Sequence, residues 1–170
     1  MKALKFTLLT FATLAPALSR AGSICMAKSD KDQIVTVNVS STGTMAYARD
    51  AAVEIRNSEG DLELKYLLDK SEIAQYFDGC RDSDCETAIV GLSAYRESNF
   101  PVAISFIGKD FFMASENDPI RTLKDYLLDP NRSTNDNNTM RVWNGISDTS
   151  DFEKTYINLK DVVCELDHDV

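Results

Sequence analysis

Short segments alternating apolar and polar residues recur along this chain, and that period of two constrains its fold more than any other feature. "QIVTVNVS" (33–40) sets Val35, Val37 and Val39 on one face and Thr36 and Asn38 on the other, as a half-buried strand requires. Residues 51–68 read as a hairpin: Val53 and Ile55 alternate with charged residues, Ser58-Glu59-Gly60 supplies the turn, and Leu62 and Leu64 return. Further strands are expected at 86–96, 101–107, 110–113, 139–146 and 154–166. The 101–107 segment, "PVAISFI", is almost continuously apolar and so belongs in the middle of a sheet.

Two segments carry helical signals instead. "DPIRTLKDYLLDP" (118–130) offers Asp118 as N-cap, Pro119 in the first turn, an apolar face of Ile120, Leu123 and Leu127, and Pro130 as a stop. "DKSEIAQYF" (69–77) has Asp69 and Glu72 at capping-box spacing ahead of Ile73, Tyr76 and Phe77. The expectation is a mainly β chain, a single-domain β-sandwich or small barrel with one or two short helices over an open end. A polar stretch, "NRSTNDNNTM" (131–140), reads as a long loop.

The first residues point to export. Lys2 and Lys5 precede an apolar run, "FTLLTFATLAPAL", and Ser19 and Ala21 put small residues at the positions a signal peptidase needs, with "APA" (15–17) as a second choice. Residues 1–21 are therefore expected to be a signal peptide, and 22–170 one disulfide-stapled β-rich domain. The run is shorter than the ~20 residues that span a bilayer, so no transmembrane segment is expected. Ser23-Ile24 before Cys25 does not fit lipidation. Periplasmic or secreted localisation follows.

Removing that leader takes away three basic residues and no acid, which deepens a net charge of −9. Such an acidic surface repels nucleic-acid phosphates, so nucleic acid is not an expected partner.

An oxidising compartment decides how "CRDSDC" (80–85) is read. Thioredoxin-like sites hold two residues between their cysteines, and zinc sites need a second pair of thiols or histidines; this chain has neither. With Cys25 and Cys164 near the two ends of the mature chain, the favoured pairing is Cys80–Cys85 and Cys25–Cys164. A loop of ~140 residues closed by the second bond would stabilise by roughly 5 kcal/mol, against roughly 2 kcal/mol for a six-residue loop.

No metal site is expected. Asp78, Asp82, Asp84 and Glu86 are weak calcium candidates, because they do not follow the EF-hand spacing.

His168 is the only histidine and sits at the acidic C-terminus, so triad and Cys-His mechanisms lack a base. No glycine-rich phosphate loop or nucleophile elbow occurs, and no cofactor is expected. Trp143 and Tyr156 are expected to pack rather than to stack on a ligand. Asn38, Asn131 and Asn137 head Asn-x-Ser/Thr sequons, which are read as chance in an Asn-rich chain.

The functional expectation is a non-catalytic exported module that binds a protein, glycan or envelope component through its loops. The candidate contacts are Asn131, Asn135, Asp136 and Asn137 in the polar loop. The alternative is a hydrolase that acts on a glycan with a pair of carboxylates.

Overall fold

The computed structural model describes residues 22–41, 48–96, 99–113, 118–145 and 155–167. The leader expected at 1–21 and His168 lie outside them. In chain order the elements are β1 (Gly22–Lys28), β2 (Ile34–Ser41), β3 (Ala48–Arg56), β4 (Leu62–Asp69), β5 (Ile73–Cys80), β6 (Ala88–Arg96), β7 (Asn99–Gly108), β8 (Phe111–Met113), α1 (Pro119–Leu127), β9 (Thr139–Trp143), β10 (Tyr156–Lys160) and β11 (Val163–Asp167). They form two open sheets, β4-β3-β2-β1-β11-β8 and β10-β9-β7-β6-β5. Every pairing is antiparallel except β8 with β11. This is a β-sandwich, and neither sheet closes into a barrel.

Alternation builds the space between the sheets. Val35, Val37 and Val39 of β2 and Val53 and Ile55 of β3 meet Val90 and Leu92 of β6, Val102, Ile104 and Phe106 of β7, and Met140 and Val142 of β9. The β3–β4 hairpin turns at Gly60, whose φ of 94° is a backbone conformation that costs glycine little. Asn57 fixes that turn by accepting from the N–H groups of Glu59 and Asp61. As its apolar run implies, β7 lies in the middle of its sheet, between β6 and β9.

The strands of the two sheets cross at a large angle. Along β4, Leu64 lies beside Gly145, the Tyr66 hydroxyl donates to the Pro101 carbonyl, the Leu67 carbonyl accepts from Arg96, and the chain then turns into β5. One strand of the first sheet thus passes β9, β7, β6 and β5 in succession, which is orthogonal packing with the chain switching sheets at corners.

Helix α1 begins as expected, with the Asp118 side chain accepting from the Arg121 N–H and Pro119 in the first turn. It lies on the outer face of the first sheet rather than over an open end. Leu123 and Leu127 are buried there against Ile24, Met26, Ile34 and Val163, each contributing about 1.5–3 kcal/mol. Ile120, expected on the same face, is 44% exposed, because burial begins only at the second turn.

Three other expectations change. Residues 69–77 form no helix: they are the end of β4, a turn, and the start of β5. Half of the capping box forms, with the Asp69 N–H donating to Glu72, but the Asp69 side chain accepts from the Ser71 N–H rather than from Glu72, and the contact closes a sheet corner. Ile73, Tyr76 and Phe77 then pair with β6, and β-branched and aromatic residues favour that state. The 154–166 segment is two strands in different sheets, broken at Asp161, where φ is 59°. Residues 22–28, not expected as a strand, are β1.

Candidate functional site

Ser29 organises the turn between β1 and β2. Its hydroxyl accepts from the N–H groups of Lys31 and Gln33, its own N–H donates to the Gln33 carbonyl, and Lys28 pairs with Asp32 at 2.7 Å. This leaves Asp30 and Lys31 facing outward on a rigid support. The Gln33 amide then reaches Glu63 of β4 at 2.6 Å.

Opposite that turn runs β10. A cleft of about 840 Å³ separates the two, with Asp30, Gln33 and Glu63 on one wall, Asn144 and Asn158 on the other, and Ile55, Leu64 and Ile157 beneath. A second cleft of about 500 Å³ continues along β10 as far as Asp161 and shares Ser29, Asp30 and Asn158 with the first. Together they make one groove with amides and charges on its walls and aliphatic side chains on its floor, the lining expected of a ligand site. None of its polar wall residues was singled out in the sequence, and Ile55 and Leu64 were read only as alternating residues of a hairpin. The cue was the "SDKDQ" turn, legible only once 22–28 is recognised as a strand.

The polar loop is built differently. Arg132, whose side chain is 3% exposed, forms a two-pronged ion pair with Asp161, one prong at 2.7 Å, and lies over the Tyr126 ring at 4.9 Å. The Asn135 N–H also donates to Asp161, at 2.9 Å. Asn138 is fully buried: it accepts from the Ile107 N–H and donates to the Val162 carbonyl. Asn131, Asp136 and Asn137 remain exposed and Asn135 is half-buried. The stretch that reads as a long polar loop is held down by its own polar groups.

The cysteines pair as Cys25–Cys164 and Cys80–Cys85. Cys25 and Cys164 are directly opposed on β1 and β11, with Cα atoms 4.1 Å apart, and both are buried in the inter-sheet core. The second bridge closes an exposed turn at the end of edge strand β5. Both fit an oxidising, exported environment.

The carboxylates near that turn do not gather. Asp78 accepts from the Tyr76 hydroxyl at 2.7 Å, Asp82 from the Glu86 N–H at 2.6 Å, Asp84 lies beside Ser83, and Glu86 pairs with Lys109. Among the described residues, no three His, Cys, Asp or Glu side chains converge in a way that could hold a metal ion.

Another cleft, of about 770 Å³, lies at the β4–β5 corner beside Asp50, Asp69, Glu72 and Arg96. The Arg96 guanidinium bonded to Glu72 holds that carboxyl below the usual range, and the Ser71 hydroxyl does the same for Asp69. A general acid at pH 7 needs the opposite shift. Burial raises the phenols of Tyr66 and Tyr76 well above their usual value; Tyr76 bridges the sheets by bonding Ser23. Trp143 meets Tyr66 edge to face at 6.2 Å, and Tyr156 lies buried beneath Arg141.

Among the described residues, no helix is long and apolar enough to cross a membrane. Comparison of the chain with protein-family models, with curated proteins and with solved structures finds no match.

Proposed function

We propose that this protein is an exported, non-catalytic binding module of the periplasm or extracellular space, and that it holds its partner in the groove between the β1–β2 turn and β10. The supporting observation is the groove's composition: side-chain amides and both signs of charge stand on its walls over an aliphatic floor. Such a surface can satisfy a polar ligand while burying its apolar parts. The two disulfides and the leader-like first residues support export.

A photo-crosslinking residue placed in turn at Asn144, Asn137 and Ile120 tests the location. The expected result is a crosslinked partner from Asn144 alone. Equal yield from Asn137 would return the contact to the polar loop and end the groove reading.

Asp30 and Glu63 line one cleft, which is the observation favouring a glycan hydrolase as a second reading. Release of reducing ends from a glycan, abolished by Glu63→Gln, would put that reading first.

A further inference from the structure

We propose that the groove accepts an extended, basic polypeptide segment as an added strand on the open edge of β10; this rests on the groove reading above and names the partner's chemistry. β10 is the last strand of its sheet. The Asn144 N–H donates to the Thr155 carbonyl at 3.0 Å, and the register pairs Ile157 with Val142 and Leu159 with Met140. In an antiparallel ladder, residues that bond a given neighbour alternate. Thr155, Ile157 and Leu159 therefore direct their N–H and C=O groups at β9, while Asn158 and Lys160 direct theirs away from it. Among the described residues, no backbone partner meets Asn158 or Lys160 on that outer side.

The outer side is the groove. Residues 156–161 line its two clefts without a break, and the β1–β2 turn is the opposite wall. A strand added ~4.8 Å from β10 would run along it, with every second side chain over Ile55 and Leu64 and the others facing solvent. Exposed edges are templates for pairing. The other edge of this sheet, β5, has outward groups as well, but it ends in the disulfide-closed turn.

The sign of the partner follows from the whole chain. It carries −9, which steers cations toward it, while the groove itself is close to balanced: Lys28 pairs with Asp32 and Asp161 with Arg132, leaving Asp30 and Glu63 beside Lys31 and Lys160. Alternating basic and apolar residues match this field and the aliphatic floor. A lysine on the edge strand itself disfavours uncontrolled pairing between copies.

The test uses the disulfide-bonded protein and a blocked octapeptide alternating lysine and valine, followed by NMR. Saturating peptide should slow hydrogen exchange of the Asn158 and Lys160 amides at least tenfold. Methylating every second peptide nitrogen, in each of the two phases, should weaken binding at least tenfold in one phase. Replacing lysine by glutamate should weaken it at least tenfold. Asn158→Pro removes a groove-facing N–H and no bond to β9, so it should abolish binding while leaving the melting temperature near its original value; the methylated peptides give the answer if that variant fails to fold. Unchanged affinity for both methylated peptides, with shifts still at Asp30, Glu63 and Asn144, overturns strand addition and leaves the groove reading standing. Peptide shifts confined to other surfaces overturn both, and no binding at millimolar peptide overturns the basic-strand proposal.

Discussion

The polar loop at 131–138 and the turn at 29–33 have similar compositions and opposite construction. In the loop, Arg132 and Asn138 point inward and bond Asp161, Ile107 and Val162. In the turn, Ser29 and Gln33 satisfy the backbone locally, and Asp30 and Lys31 are left to the groove. Polarity alone therefore does not say whether a connection is available to a partner. What matters is whether its polar groups are taken up by the fold, as the two terminal nitrogens of Arg132 and the side-chain amide of Asn138 are.

The largest expected effect is at Asp161. Asp161→Asn keeps a residue tolerant of positive φ but leaves the buried Arg132 guanidinium without its carboxylate, and should cost about 3 kcal/mol in urea denaturation. A loss below about 1 kcal/mol would mean the loop is not held this way. Asn138→Ala strands the Ile107 N–H and the Val162 carbonyl and should cost about 2 kcal/mol, with faster amide exchange at Ile107. Ser29→Ala removes one acceptor from a part-buried turn; about 1 kcal/mol is expected, with faster exchange at Lys31 and Gln33. Smallest of all, Asp30→Ala or Lys31→Ala should change stability by no more than about 0.5 kcal/mol. If either outward residue cost as much as Asn138, the contrast between the two connections would collapse.

The legible part of the fold is the part written in local patterns. Val35, Val37 and Val39, the Gly60 turn, the Asp118 cap and the disulfide pairing follow from period, turn chemistry and cysteine position. The 69–77 segment misled because Glu72 accepts from the Asp69 N–H at a sheet corner as it would at a helix start, while the Asp69 side chain turns to the Ser71 N–H instead. Asp161 hides a change of sheet inside one apolar run, since nothing local marks which sheet a strand joins. The groove was illegible for a related reason: Asp30, Glu63, Asn144 and Asn158 come from four separate connections and strands, and only the orthogonal crossing brings them together.

Cys25 and Cys164 are neighbours on adjacent strands, 139 residues apart in sequence. A pull applied through chain upstream of Cys25 and downstream of Cys164 is therefore carried by one covalent bond. The chain between the two cysteines, with the helix, the whole second sheet and the β10 edge, hangs from that bond as a closed loop and bears no tension along its backbone; only the ends of β1 and β11 outside the bond do. A partner held on β10 would keep its grip under loads that shear apart domains whose strands lie in the line of force.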